Sequence, residues 1–432
     1  MEKTLKDNLL VSKRFHFYET IAPKVQNVIN ESIIFNYLKE NSAISRAKIS
    51  KDLKISAPTV SKIIDNLIRN NYVNETEKAE SSGGKRATKL VFNGDIGYTI
   101  GIDLSKKRVI LAQTDFQTNI INKDVGFKII HTDENILDKL IEEIKLFIKK
   151  HDISVQKKSR NRKIIVIGVG VPANADLISG KIISAPLFKN WLNLDLKSCL
   201  EKEFDMPVYV ENIVNLSAIG ENNFGNAQKI NNLVFLEISN GIGAGIIIDG
   251  NLYRGSAGSA GEIGFTVTKC EDLHFKYNIK GKLEKEISIE NIENKVLMDI
   301  KNGQKTKISS YLKDDLSDID INMICEAAYA DDDYAKSVLN KVAEEISIAV
   351  INLILILNPK LIVIGGQIST VPHMNELIIK PLKKNVKNII PFNIPDIKVS
   401  MLGENAGVIG ASFMASDLIL ANKFPYRIVN YN

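Results

Sequence analysis

Apolar residues recur at helical spacing near the beginning of the chain and predict a compact helical unit there. From Pro23 to Leu38 they repeat every three or four positions, which predicts a first helix. Residues 45–71 have the pattern of two short helices joined by a tight turn. Ser56 is a favourable N-cap, so the second of these helices is expected to begin near Ala57. These patterns together predict a helix-turn-helix pair that packs on the first helix.

The second helix of this pair leaves a polar face uncovered. Its apolar residues face the core at helical spacing, whereas Thr59, Ser61 and Lys62 remain available in its first turns. Small hydroxyl side chains and a cation suit a recognition helix, because its N-terminal residues enter the major groove of DNA. The alternative is an ordinary helical hairpin, which has the same periodicity and binds no DNA.

A basic turn between two strand-like runs favours the DNA-binding interpretation. The runs cover residues 72–75 and 89–92, and a Gly-Gly turn between them is followed at once by Lys85 and Arg86. Such a wing can contact phosphates or enter a narrow minor groove. The order helix, turn, helix and wing is more specific than the helices alone. We therefore predict a winged helix-turn-helix domain with an N-terminal arm over residues 1–93, and double-stranded DNA as its partner.

The remainder of the chain alternates short apolar runs with longer helical patterns, and this order occurs twice. The first half contains predicted strands at residues 98–104, 108–114, 120–130 and 164–171 and a helix at 136–150. The second half contains predicted strands at residues 233–238, 244–248 and 361–364 and long helices over 333–357. This repetition predicts a duplicated α/β fold with a cleft between two lobes, at residues 94–230 and 231–432. The C-terminal helices can return to the first lobe.

Composition and charge are those of a globular protein with a basic N-terminal part. At 432 residues the chain is long enough for two or three domains, and its 44% hydrophobic content can supply their cores. The net charge is +5, and the first 92 residues alone have six more Lys and Arg than Asp and Glu. Three widely spaced cysteines match no disulfide framework, and no signal peptide is evident. The longest apolar run, residues 346–357, is too short to span a bilayer and is expected to be a buried helix. These features predict a cytoplasmic protein without a membrane partner.

Candidate ligand-binding chemistry lies in polar and glycine-rich turns that follow apolar strands. The turns include residues 103–105, 171–174, 211–213 and 239–245, followed by a stretch of small residues around Glu262. Open α/β folds place their ligands at such strand ends. Glycines at strand ends are also common in tight turns that bind nothing, so a single turn is weak evidence.

At these residues the sequence resembles the ROK family, which contains sugar kinases and sugar-responsive repressors. The resemblance lies in GIGAGIIIDGNLYRGSAGSAGEIG at 241–264, NPKLIVIGG at 358–366 and LGENAGVIGAS at 402–412. It implies an actin-like, ribonuclease-H-like ATPase fold of two lobes. The winged helix ahead of this body resembles the repressor branch, which includes xylose and N-acetylglucosamine repressors.

Departures from the family pattern argue against catalysis. ROK kinases have Asp-Gly-Gly-Thr in the first strand turn, so that backbone N–H groups approach phosphates. Here Leu104, Ser105 and Lys106 follow Asp103, and their side chains are expected to obstruct that approach. ROK kinases also have a catalytic aspartate after Glu-Asn, whereas this chain has Ile213, which cannot accept a proton. We therefore expect no enzymatic activity.

The resemblance also implies a partial sugar pocket without a metal. Asn212 and Glu262 match positions that hydrogen-bond sugar hydroxyls, and Asn174 lies in the loop that borders the pocket. Glu284 and Glu286 are candidates for the zinc-adjacent glutamate of the family's pocket. Phe265 replaces the histidine of the family's zinc site, and Cys270 and His274 alone cannot complete one, so they are expected to be a core cysteine and a surface histidine. No metal and no cofactor are expected.

The patterns together predict a DNA-binding transcriptional regulator, expected to be a repressor of carbohydrate metabolism genes. A homodimer would present two recognition helices to a palindromic operator, and a monosaccharide in the cleft would oppose DNA binding. Two alternatives remain open at this point. One is a sugar kinase fused to a DNA-binding module, and the other is a ligand-independent DNA-binding dimer.

Overall fold

The computed structural model describes residues 23–41, 43–76, 88–105, 108–129, 135–153, 164–176, 179–185, 189–274, 280–311 and 319–425. Within these residues, a helical N-terminal unit precedes two lobes, and each lobe is built on a five-stranded sheet. Lys85 and Arg86 lie outside the described residues.

Within the described residues, three helices and a small sheet form the N-terminal part, called here the winged-helix unit. Its elements are α1 (Pro23–Glu40), β1 (Ile44–Ser45), α2 (Arg46–Leu53), α3 (Ala57–Arg69), β2 (Val73–Thr76) and β3 (Lys89–Phe92). The strands form an antiparallel sheet of order β1-β3-β2. Helix α3 begins at Ala57 as predicted, and the Ser56 hydroxyl accepts the Thr59 N–H at 3.4 Å. Strand β1 was not predicted, because two residues carry no periodic pattern.

The first lobe combines an antiparallel meander with two parallel strands. Its strands are β4 (Gly97–Asp103), β5 (Arg108–Asp115), β6 (Ile120–Lys128), β7 (Ile164–Val171) and β10 (Val208–Asn212), with the short pair β8 (Asn174–Ala175) and β9 (Ile182–Ser184). The order of the main sheet is β10-β7-β4-β5-β6. Strands β4, β5 and β6 are antiparallel, whereas β7 is parallel to β4 and to β10. The helices are α4 (Ile136–Lys150), α5 (Leu196–Phe204) and α6 (Ile213–Phe224).

The second lobe repeats this plan, which confirms the predicted duplicated fold. Its strands are β11 (Leu233–Ile238), β12 (Ile242–Ile248), β13 (Asn251–Leu252), β14 (Leu361–Gly365) and β15 (Asp396–Val399), in the order β13-β12-β11-β14-β15. Again a meander is extended by two parallel strands. Its helices are α7 (Lys282–Ile287), α8 (Ile289–Lys301), α9 (Ile321–Tyr329), α10 (Asp333–Leu357) and α11 (Lys380–Ile389). Their apolar faces share one core with the sheet.

Helix α12 (Ala406–Ala421) lies against α6 at the junction of the lobes. It packs on β4, β5 and β7, while α6 contacts β11 and β12. The two helix backbones touch: a Cβ built on Gly410 would lie only 1.8 Å from the carbonyl oxygen of Leu216. Because no side chain separates the backbones there, the helix pair joins the lobes closely.

Helix α10 contains the longest apolar run of the chain. Ile346, Val350 and Ile354 are buried as predicted, but Leu355 and Ile356 are 55% and 78% exposed. The prediction of a wholly buried helix was therefore wrong at its C-terminal end, because a helix on one side of a lobe buries one face. In the part of the chain that the structure describes, no helix has the length and apolar character that crossing a membrane requires.

Candidate functional site

The predicted DNA-contact residues of α3 lie in its first turns. Lys62 is exposed, whereas Thr59 and Ser61 are half-buried. The hydroxyl oxygens of Thr59 and Ser56 share a hydrogen bond of 2.7 Å. On the opposite face, Val60 and its helical neighbours are buried in the core. Helix α3 is therefore held by one face and presents a short polar face outward.

Arg46 stabilises the position of α3 through two ion pairs. Its guanidinium donates to the Asp65 carboxylate at 2.7 Å and to the Glu75 carboxylate at 3.0 Å. These two ion pairs connect the start of α2 with α3 and β2. Burial lowers the pKa of Arg46, but both carboxylates raise it and the net direction is upward.

Sequence reasoning missed three exposed lysines beside α3. Lys48 and Lys51 lie on α2, and Lys54 follows in the turn with a positive φ of 54°. Their spacing of three residues along the chain was the available signal. Together with Lys62 they concentrate positive charge on the winged-helix unit, which favours contact with a polyanion.

A cavity of about 580 Å³ lies between the two lobes. It is bordered by the ends of β7 and β10 from the first lobe and by β11, β12 and the following glycine-rich loop from the second. Ligands of open α/β folds bind at such strand ends. The cavity therefore has the expected place and a size suited to a small molecule.

The structure brings the three predicted ligand-binding residues together at this cavity. The amide Nδ2 of Asn174 donates to the Glu262 carboxylate at 3.1 Å. The amide Nδ2 of Asn212 donates to Oδ1 of Asn174 at 3.3 Å. All three side chains line the cavity, although their residues are far apart along the chain. The cluster offers amide donors and a carboxylate acceptor, which suits a ligand with neighbouring hydroxyl groups.

Asn212 is fixed by its position at the end of β10. Its Oδ1 accepts the Val214 N–H at 2.8 Å and caps α6. The preceding Glu211, whose side chain is 4% exposed, accepts the Arg254 Nε–H at 2.7 Å. Since Arg254 precedes the loop that contains Glu262, this ion pair connects the two sides of the cluster through a buried carboxylate and a half-buried guanidinium.

Glu284 is a further carboxylate at the cavity. Burial raises its pKa to about 7, the carboxylate of Glu262 raises it too, and Lys280 and the Ile242 backbone oppose the shift. Near neutral pH this side chain therefore both donates and accepts hydrogen bonds. Of the two candidate glutamates, Glu284 lines the cavity, whereas Glu286 forms an ion pair with Lys282 at 2.5 Å.

Ile213, an aliphatic residue, occupies the position at which ROK kinases have a catalytic aspartate. Ile213 is the first residue of α6, lines the cavity and is 4% exposed. Its Cδ1 lies against Gly170 and Gly407, where an added Cβ would be 2.2 Å and 2.6 Å away, respectively. Ile213 is thus packed closely against β7 and helix α12, and its side chain cannot take up a proton.

The turn after β4 differs from the sequence prediction in one respect. Leu104 is 1% exposed and belongs to the core of the first lobe, so the expectation that its side chain obstructs the cleft was wrong. Ser105 instead folds back, and its N–H and hydroxyl donate to Asp103 Oδ1 at 2.8 Å and 2.6 Å. Lys106 lies outside the described residues. The Asp103 carboxylate is therefore bonded to its own turn.

A buried carboxylate also borders the glycine-rich turn between β11 and β12. Glu237 is 7% exposed and lines the cavity, and its Oε1 accepts the Ser239 hydroxyl at 2.6 Å. Ser239 in turn accepts the Gln367 N–H at 2.9 Å. An acceptor-only carboxylate at this turn disfavours the approach of a phosphate group.

The loop after Glu262 is stabilised by an ion pair. Asp272 is buried, accepts the Lys269 N–H at 3.1 Å and lies 3.5 Å from Lys282 Nζ. His274 is exposed as expected, but Cys270 is also exposed, so its assignment as a core cysteine was wrong. Among the described residues no cluster of three or more His, Cys, Asp or Glu could hold a metal ion.

Phe265 lines the cavity and offers it an aromatic surface.

Known proteins resemble this chain along most of its length. The ROK family profile matches residues 99–418, and a winged helix-turn-helix DNA-binding profile matches residues 31–74. The xylose repressor of Caldicellulosiruptor bescii is 33% identical over 396 residues, which covers 90% of this chain and 96% of that repressor. The DNA-binding transcriptional dual regulator NagC of Escherichia coli strain K12 is 27% identical over 343 residues, covering 79% and 81% of the two chains.

Solved structures share the fold. A ROK family transcriptional regulator, described as a homolog of the E. coli MLC protein, superposes with a TM-score of 0.75 at 23% identity, over 92% of this chain and 99% of its own. A ROK family glucokinase from Streptomyces griseus, in complex with glucose and AMPPNP, superposes with a TM-score of 0.64 at 23% identity, over 74% and 100% of the two chains. Both likenesses concern the fold.

Proposed function

Because the chain belongs to the ROK family and has a winged helix-turn-helix DNA-binding unit ahead of the family's body, we propose that it is a transcriptional repressor of carbohydrate metabolism genes. In this proposal a monosaccharide or sugar derivative in the interlobe cavity opposes DNA binding. The observation that carries the proposal is one chain in which a DNA-binding unit is joined to a sugar-kinase-like body with Ile213 at the catalytic position. The names of the similar repressors support the regulatory role.

The proposed DNA complex contains a homodimer on a palindromic operator in the cytoplasm. Two recognition helices must reach major grooves one helical turn apart, which a two-fold dimer achieves. Thr59, Ser61 and Lys62 then contact DNA from α3, and Lys85 and Arg86 contact it from the wing. The exposed lysines at positions 48, 51 and 54 are proposed to contact phosphates.

The proposed effector site is the cluster of Asn174, Asn212 and Glu262 with Glu284. A sugar hydroxyl can replace the mutual hydrogen bonds of these side chains with bonds of similar geometry. Phe265 supplies an apolar surface for a face of the sugar ring. The observed clustering of amides, carboxylates and one ring supports this assignment.

Phosphoryl transfer is not part of the proposed function. Ile213 cannot deprotonate a sugar hydroxyl, and the Glu237 carboxylate repels phosphate oxygens at the glycine-rich turn. The alternative of a sugar kinase fused to a DNA-binding unit requires turnover despite both features.

The wing is expected to contribute about two phosphate contacts. Replacing Lys85 and Arg86 together by alanine should weaken operator binding and lower the slope of log affinity against log salt by about 2. Operator fragments are selected from genomic DNA with the full-length chain and identified by sequencing, and affinities are measured by gel shift at several salt concentrations. The matched control replaces Lys383 and Lys384, an adjacent exposed pair on α11, and should leave the slope unchanged. An unaltered slope in the wing variant would remove the wing from the interface.

A sugar effector is expected to raise thermal stability. D-xylose, D-glucose and N-acetyl-D-glucosamine are tested separately, and a sugar at one hundred times its Kd should stabilise the protein by about 2.7 kcal/mol. Glu262→Gln removes a charged acceptor and should weaken binding at least about tenfold. Glu271→Gln, at an exposed carboxylate outside the cavity, is the control.

The same samples distinguish the alternatives. ATP consumption should stay at background with every sugar, and sugar-dependent turnover would favour the kinase alternative. If no sugar shifts the unfolding midpoint while operator binding persists, the ligand-independent dimer replaces the proposal.

A further inference from the structure

Helix α12 contacts the cavity region at one end and the winged-helix unit at the other, and we infer that it transmits the state of the cavity to the DNA-binding unit. The inference rests on the proposed function, in which an effector in the cavity opposes DNA binding. It specifies the element through which that opposition acts.

At the cavity end, Ile213 is the residue shared by ligand site and helix packing. It lines the cavity, and its Cδ1 lies where a Cβ added to Gly407 of α12 would be only 2.6 Å away. The adjacent Asn212 caps α6 with its Oδ1. A ligand that bonds the Asn212 amide therefore acts on the first turn of α6, and that turn touches α12.

Between its ends, α12 is packed too closely to move independently of its neighbours. A Cβ on Gly410 would lie 1.8 Å from the Leu216 carbonyl oxygen of α6. On the sheet side, a Cβ on Gly168 would lie 2.2 Å from the Ala411 carbonyl oxygen. Close-packed interiors pass displacements on instead of absorbing them. Helix α12 has 16 residues and is therefore a rod of about 24 Å.

At the other end, the chain after α12 enters the core of the winged-helix unit through Phe424. Phe424 is 2% exposed, and its ring stacks on Phe35 of α1 with 3.9 Å between the centroids. It meets the ring of Tyr72, just before β2, edge-on at 5.2 Å. The Asn36 amide donates to the Phe424 carbonyl oxygen at 3.1 Å. Helix α1 and strand β2 both contact α3, so a shift of Phe424 reaches the elements that hold the recognition helix.

Two polar contacts accompany the apolar packing of Phe424. Lys39 Nζ lies 2.5 Å from the Asp417 carboxylate of α12, and both side chains are largely buried. Lys423 Nζ donates to the Tyr72 hydroxyl at 2.9 Å. These contacts therefore attach the winged-helix unit to the end of α12 at several points.

A double-mutant cycle tests the coupling without a known effector. The cavity end is perturbed by Ile213→Val, which removes Cδ1, or by Gly407→Ala, which crowds it, and the far end is changed by Phe424→Ala. The affinity of the full-length protein for a selected operator fragment is measured for every single and double variant. Substitutions at sites this far apart normally have additive effects on affinity. If the two ends are coupled, a cavity-end substitution should change operator affinity by about threefold or more in the otherwise unchanged protein. The same substitution should have almost no effect on affinity when Phe424→Ala is also present.

Equal fold changes with and without Phe424→Ala would overturn the inference, as would a failure of both cavity-end variants to alter affinity. Phe392→Ala makes the same substitution at a phenylalanine that is 51% exposed in the second lobe, and it should be additive with Ile213→Val. If Phe424→Ala does not fold, as judged by circular dichroism, Phe424→Leu keeps the site apolar, removes the stacked ring and replaces it in the cycle.

Failure of the proposed effector is distinguishable from failure of this coupling. The former appears as an absence of thermal shift with D-xylose, D-glucose or N-acetyl-D-glucosamine. The latter appears as additivity in the cycle, which contains no sugar.

Discussion

Replacing Glu284 by glutamine is expected to remove a pH dependence of stability worth roughly 3 kcal/mol. Burial, with a further contribution from the Glu262 carboxylate, raises the pKa of Glu284 from its ordinary value of 4.5 to about 7. Between these two values the folded protein binds the proton more tightly than the unfolded chain does. The resulting stabilisation is fully present below pH 4.5 and is lost as the pH rises through about 7. Glutamine is neutral throughout, so the variant lacks this loss.

The measurement is chemical denaturation of both proteins at several pH values from 4.5 to 8. The free energy of unfolding of the original protein, relative to Glu284→Gln, should fall across this range and then level off. Glu271→Gln reports the effect of removing an exposed carboxylate from the same protein. A constant difference between the original protein and Glu284→Gln would mean that the carboxylate is hydrated and that burial does not raise its pKa.

Replacing Gly410 by alanine is expected to reduce the free energy of unfolding by about 3 kcal/mol. The added Cβ would lie 1.8 Å from the Leu216 carbonyl oxygen, so α6 and α12 must separate. Alanine is intrinsically better than glycine inside a helix by up to about 1 kcal/mol, and the crowding has to exceed this gain. The lobes meet at this helix pair, so the loss should affect both.

Gly241→Ala is the matched control for this substitution. Apart from Gly241 and its two chain neighbours, no heavy atom of the described residues lies within 4 Å of the Cβ that would be added there. Its free energy of unfolding should stay within about 0.5 kcal/mol of that of the original protein. Equal stability of Gly410→Ala and Gly241→Ala would contradict the close contact of α6 and α12.

Much of the candidate site could be located from the sequence because its residues occupy ends of recognisable elements. Asn174 follows a continuous apolar strand, Asn212 ends another, and Glu262 lies in a glycine-rich loop. In an open α/β fold the carboxyl ends of parallel strands meet at one edge, so these positions were expected to converge. The turns were therefore identifiable from the pattern, and the resemblance to the ROK family singled out Asn174, Asn212 and Glu262 within them.

Glu284 could be named only as one of two candidates. It follows a loop without periodic pattern, and sequence spacing did not distinguish it from Glu286. Their positions on α7 distinguish them, because the side chain of Glu284 lines the cavity, whereas that of Glu286 forms an ion pair with Lys282. The direction of Leu104 was misjudged for a similar reason, since a turn residue can point to either side of its sheet.

The sequence by itself determined the helix-turn-helix pair, the longer apolar strands and the cap at Ser56, because these depend on residue type and near neighbours. The resemblance to the ROK family added the replacement of a proton acceptor by Ile213. Only the tertiary structure decided the raised pKa of Glu284, the backbone contact of α12 with α6 and the insertion of Phe424 between Phe35 and Tyr72. Asn36 and Phe424 are 388 residues apart, and no local pattern encodes their hydrogen bond. Burial and tertiary contacts arise only in the folded protein, where residues distant along the chain pack together and exclude water from one another.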